Sequence, residues 1–169
     1  MTASARPRLV IDTNILAPGM VGALASPPKQ TASAGLLRAW QAGLCSVVVS
    51  DDLLDEYRDV LQRPAFGLSP RQARRACDAL ARHATVVTPL RGRPLLTRDP
   101  GDDMVLKTAL ADKVDFIVTD NIRHFKEIAN LPGGTADLRY RGLQVVGLSQ
   151  ALDVIRATHP NARIVLRRR

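Results

Sequence analysis

Five short, mostly apolar runs alternate with segments patterned as helices, and this alternation constrains the fold more than any other feature of the chain. The runs are Leu9-Val10-Ile11, Leu44 to Val49, Thr85-Val86-Val87-Thr88, Asp115-Phe116-Ile117-Val118-Thr119 and Leu143-Gln144-Val145-Val146. Each is too short for a stable helix and reads as a buried strand. Strands of this kind, joined through helices, form a parallel sheet covered on both faces.

The spacers carry helix signals. Thr31 to Gly43 sets Ala34, Leu37 and Trp40 at helical spacing. Ser50 or Asp51 caps a helix that runs to about Arg63 and stops at Pro64. Ser69 and Pro70 open another that ends near His83. A further helix spans about Asp102 to Lys113, one begins near Asn121, and Ser149 caps a last one ending near Ala157. Residues 18–30 hold Pro18, Gly19, Gly22, Pro27 and Pro28 and read as a loop, as do residues 132–142. Ile164-Val165-Leu166 reads as an edge strand or a tail. The expected organisation is one domain over 1–158 and a basic tail over 159–169.

Composition agrees with that plan. The 169 residues, 46% hydrophobic and 24% charged, suit one globular domain and exclude wholesale disorder. A chain this long buries roughly 70% of its unfolded surface and needs no covalent staples. No apolar run approaches the ~20 residues of a membrane span, and Met1 to Arg8 lacks a secretory pattern. Cys45 and Cys77 have no metal-type spacing and read as reduced core thiols of a cytoplasmic protein. There is no Gly-x-Ser-x-Gly elbow and no glycine-rich phosphate loop after the first strand. His83, His124 and His159 are scattered and offer no centre of their own.

The charges are segregated. The chain has 24 Lys and Arg against 16 Asp and Glu, a net charge of +8. From Arg63 to Arg98 the sequence carries Arg63, Arg71, Arg74, Arg75, Arg82, Arg91, Arg93 and Arg98 against the single acid Asp78. The acids cluster instead at Asp51 to Asp59 and at Asp99 to Asp120. Basic segments around acidic foci suit an anionic polymer held over a metal centre.

Parallel sheets place their sites at the carboxyl ends of the strands. Asp12 directly follows the first run and Asp120 the fourth. Glu56 borders the apolar stripe of Leu53, Leu54, Tyr57, Val60 and Leu61. Asp102 heads the stripe of Val105, Leu106 and Ala109, and Asp103 lies about 100° further round. Any one of these acids alone is an ordinary cap or turn former. Together they converge on one sheet edge, where mutual repulsion calls for a hard divalent cation. Such an ion supports in-line phosphoryl displacement.

Four segments in order then resemble a known family. They are Leu9-Val10-Ile11-Asp12-Thr13-Asn14, Val49-Ser50 through Asp55-Glu56-Tyr57, Arg98-Asp99-Pro100-Gly101-Asp102-Asp103, and Ile117-Val118-Thr119-Asp120-Asn121. They resemble the four motifs of the PIN domain, from about residue 8 to 157. The resemblance implies a three-layer α/β/α sandwich with a central parallel sheet of about five strands. It implies a Mg²⁺- or Mn²⁺-dependent endoribonuclease acting on single-stranded RNA. Asp12, Glu56 and Asp102 match the principal acidic ligands, Thr13, Asn14, Ser50 and Thr119 the small polar residues that support them, and Asp103 would assist Asp102. Many bacterial members are VapC-like toxins, which implies a homodimer and a cognate antitoxin as partners. The family's fourth acid usually falls two residues after the threonine; here Asn121 stands there and Asp120 comes one residue early, so either would complete the shell. Arg98 and Arg123 would hold RNA phosphates. The rival readings are a PIN-like module that binds RNA or protein without turnover, and a small-molecule phosphohydrolase.

Overall fold

The computed structural model of the protein describes residues 6–96, 99–125 and 142–162. The strands are β1 (Arg8–Ile11), β2 (Ser46–Ser50), β3 (Thr85–Val87), β4 (Phe116–Val118) and β5 (Gln144–Val146). The helices are α1 (Thr13–Leu24), α2 (Ala32–Gln41), α3 (Asp51–Leu61), α4 (Pro70–His83), α5 (Pro100–Leu110) and α6 (Leu148–Thr158). Single 3₁₀ turns occupy Pro64–Phe66 and Ile122–Phe125.

All strand pairs are parallel, in the order β3-β2-β1-β4-β5. In register, Leu9 lies between Val47 and Phe116, and Val118 between Ile11 and Val146. The chain walks outward from β1 to β3 and then returns to β4 on the other side of β1. Right-handed crossovers therefore place α1 to α4 on one face and α5 on the opposite one. The contacts agree: α1 packs on α2 and α3, α3 on α4, and α6 on α2, whereas α5 packs on β1, β2 and β4. The result is a three-layer α/β/α sandwich. Its core runs through Val10, Ile11, Val48, Val49, Ile117 and Val118, all buried. The reversal of strand order leaves a crevice at the carboxyl ends of β1 and β4, where sites of such sheets form. Among the described residues no helix is long and apolar enough to cross a membrane.

Several boundaries differ from the sequence expectation. The segment read as a loop from residue 18 is helical to Leu24, with Pro18 inside α1. Proline costs a helix one hydrogen bond, and tertiary packing outweighs that cost here. Ile15, Leu16, Ala17 and Met20 are buried. Gly19 and Gly22 serve close packing and not turns: a Cβ on Gly19 would come within 2.9 Å of the Ser33 carbonyl oxygen. Ser149 lies inside α6 and does not cap it; Gln150 Oε1 reaches back to accept the Gly147 N–H at 3.1 Å. α5 starts at Pro100, earlier than expected, because Asp99 caps it. The helix expected near Asn121 is described only as a 3₁₀ turn to Phe125. The loop expected over 132–142, all but Gly142, and the Ile164-Val165-Leu166 segment lie outside the described residues.

Candidate metal centre

Asp12 leaves β1 with its N–H still donating to the Val118 carbonyl at 2.9 Å, so its backbone is held in the β1–β4 ladder. Its carboxylate lies in the switch-point crevice. The Thr119 hydroxyl donates to Asp12 Oδ2 at 2.6 Å. An ionised carboxylate can only accept, and Thr119 Oγ1 in turn accepts the Asn121 N–H at 3.0 Å. Burial pushes the Asp12 carboxyl above its ordinary range; the Thr119 bond and the Thr13 and Asn14 N–H groups oppose this without cancelling it. Asn14 Oδ1 is buried without a hydrogen-bond partner among the described residues.

Glu56 arrives on α3, where Leu53, Tyr57 and Val60 bury the neighbouring stripe. The Thr13 hydroxyl donates to Glu56 Oε1 at 2.5 Å. The Tyr57 hydroxyl donates to the Ile11 carbonyl, which ties α3 to the residue before Asp12. Ser50 acts at one remove. Its Oγ accepts the Leu53 N–H at 3.2 Å and pairs with Thr108 Oγ1 at 2.8 Å, joining the start of α3 to α5.

α5 supplies the third side. Asp99 caps it, with Oδ1 accepting the Gly101 N–H at 2.8 Å. Asp102, buried in the first turn, has Oδ2 2.8 Å from His124 Nδ1. Burial raises the Asp102 carboxyl, the His124 bond opposes, and repulsion from Asp99 and Asp12 adds to the rise. Asp99, Asp102 and His124 offer ligand atoms within 4.8 Å of one another. Gly101 keeps the gap between helices clear: a Cβ there would stand 3.2 Å from Asp99 Oδ1 and 3.7 Å from Glu56 Oε2.

The cleft has a volume of about 340 Å³, and its walls include Asp12, Thr13, Asn14, Glu56, Asp99, Asp102 and Asn121, with Arg63 and Phe66 on the α3 side. Three residues expected at the site, Asp103, Asp120 and Arg123, stand apart from it. Asp103 faces away, with Oδ1 accepting the Leu95 and Leu96 N–H groups at 2.6 and 2.9 Å and Oδ2 2.9 Å from Lys107 Nζ. It therefore does not assist Asp102. Asp120 is exposed, and Asn121 lines the cleft in its place. Arg123 is exposed and off the cleft wall, and Arg98 lies outside the described residues.

Sequence reasoning missed Asp99, His124 and Phe66. Asp99 carried a readable signal, a cap residue before Pro-Gly at a sheet edge. His124 stands in a His124-Phe125 pair after Thr-x-Asn that resembles some PIN subgroups, but the pattern does not point to Asp102, because only the 3₁₀ turn brings the ring back over it.

The donors suit a divalent cation. They are carboxylates and amide oxygens with one imidazole, and two of the carboxylates are held above their ordinary range chiefly by burial, with repulsion from neighbouring acids adding to it. The orphaned Asn14 oxygen and the clearance at Gly101 fit the same group. Open parallel α/β sheets bind their ligands in a cleft at such a switch point. The family model described as the PIN domain matches residues 8–123, more than half of the chain. The chain belongs to the PIN-domain family, whose members are generally metal-dependent nucleases. A search of the curated proteins gives no match.

Proposed function

We propose that the protein is a Mg²⁺- or Mn²⁺-dependent endoribonuclease that cuts single-stranded RNA in the cytoplasm. The observation that carries this reading is the convergence of Asp12, Glu56 and Asp102 on one cleft, two of them destabilised as anions by burial. A divalent cation bound there would supply an activated water and neutralise charge developing on the phosphate. The chain does the rest. Asp12, Glu56 and Asp102 hold the cation, with Asn121 as a neutral oxygen donor at the fourth position. Thr119 fixes the rotamer of Asp12, and Thr13 that of Glu56. Arg63 on the wall meets a phosphate, and the partly exposed ring of Phe66 offers a face on which an unpaired base stacks. Arg123, exposed off the cleft wall, and Arg98, by its place in the sequence, add further cations for RNA phosphates. The toxin role, the cognate antitoxin and the homodimer rest on the resemblance of the motifs to VapC-like members.

The test is incubation of labelled single-stranded RNA with the protein, with Mg²⁺, Mn²⁺ or EDTA, beside Asp12→Ala. Metal-dependent cleavage that Asp12→Ala loses supports the reading. A second reading, an RNA-binding module without turnover, is favoured by one observation: a neutral Asn121 on the wall where an acid is usual, with Asp120 turned to solvent. It predicts salt-sensitive RNA affinity that survives Asp12→Asn, with no cleavage by either protein.

A further inference from the structure

Resting on the metal-dependent reading above, we infer that His124 is a direct ligand of the cation, and that it makes the site prefer Mn²⁺ to Mg²⁺. The ligand atoms of Asp99, Asp102 and His124 already lie within 4.8 Å of one another. Two donors on one small cation stand at most about 4.2 Å apart, twice the ~2.1 Å bond length, so only a small closure is needed. The imidazole is not a loose surface group. The His124 backbone N–H donates to the Asn121 carbonyl at 2.9 Å, and the next residue, Phe125, is buried in the core. Both anchors hold the 3₁₀ turn that carries the ring against Asp102.

The same turn explains the missing acid. Asn121 brings no charge to the cleft, and three residues later the chain returns with a nitrogen donor. A set of oxygens plus one imidazole changes ion preference. Mg²⁺ demands near-ideal octahedral oxygen and sheds water reluctantly. First-row transition ions accept imidazole, and Mn²⁺ is the member of that series most at home among carboxylates.

Electron spin echo spectroscopy of the full chain with one equivalent of Mn²⁺ reads the ligand directly. The result expected is modulation from a bound ¹⁴N nucleus, lost in His124→Gln, which keeps a hydrogen-bond donor and offers oxygen instead. Titration calorimetry then compares Mn²⁺ with Mg²⁺ for wild type, His124→Gln and Asp12→Asn. Wild type should prefer Mn²⁺ by roughly tenfold or more, and His124→Gln should close that gap while keeping Mg²⁺ affinity. Mn²⁺ binding without a ¹⁴N signal, or with a ratio unchanged in His124→Gln, overturns the inference and leaves His124 as a positioning partner of Asp102. Wild type binding neither ion overturns the metal reading itself along with it. The wild-type spectrum needs no variant, so a misfolded His124→Gln does not spoil the test.

Discussion

The two sides of the first turn of α5 carry adjacent aspartates with nearly equal burial and opposite chemistry. Asp102 is 6% exposed and Asp103 is 7% exposed. Burial pushes both carboxyls up, yet Asp102 ends above its ordinary value and Asp103 below it. The difference lies in what each side offers in return. Asp103 meets the Lys107 ammonium and the Leu95 and Leu96 N–H groups, which outweigh its desolvation. Among the described residues Asp102 has one partner, His124, and faces two further acids, Asp99 and Asp12. A buried carboxylate that the fold has satisfied is an anchor. One that the fold leaves short of positive charge marks where a cation belongs.

The largest expected effect separates these roles by activity. Asp102→Ala should lower metal-dependent RNA cleavage by about a thousandfold, about 4 kcal/mol of transition-state stabilisation, while circular dichroism shows an intact fold. Asp103→Ala should do the reverse. It strips two N–H groups and an ammonium of their partner and should cost about 3 kcal/mol, read as a lower urea midpoint, with the specific activity of the folded fraction nearly retained. If Asp103→Ala silences cleavage without loss of stability, the two sides of the turn are not distinct. Tyr57→Phe tests the tie between α3 and β1 and should cost about 1.5 kcal/mol, since the Ile11 carbonyl is left without that donor.

The smallest effect is the sharpest. A carboxyl whose folded pKa is raised favours the fold when neutral and opposes it when charged. Asp102→Asn in metal-free protein should therefore be more stable than wild type at neutral pH. The gain should vanish below the ordinary carboxyl value of 3.8 and reach its full size only above the raised folded pKa. Asp103→Asn has the opposite sign. Its loss should be full above 3.8 and fade as pH falls through the lowered folded pKa. Urea midpoints across pH 3 to 7 in EDTA, a range of about four units around these values, read both trends.

Much of this arrangement was legible in the residues. The ends of β1 and β4 followed from apolar runs that stop at Asp12 and Thr119, and the stripe beside Glu56 followed from helical spacing. What escaped depended on distant packing. Pro18 and the glycines near it look like a loop until α2 is laid against them. The 100° offset between Asp102 and Asp103 was visible, but not the Leu95-Leu96 strap that claims Asp103. Extended backbone past β4 alternates sides, which buries Thr119, exposes Asp120 and returns Asn121 to the cleft. Counting acids after a strand does not see that alternation.

The measurement closest to the central claim is cleavage of end-labelled single-stranded RNA by wild type and Asp102→Asn, purified in parallel, in Mn²⁺ and in EDTA. The account predicts discrete cleavage by wild type in Mn²⁺ alone and none by Asp102→Asn. Equal cleavage by both proteins, or cleavage that EDTA leaves untouched, would contradict it.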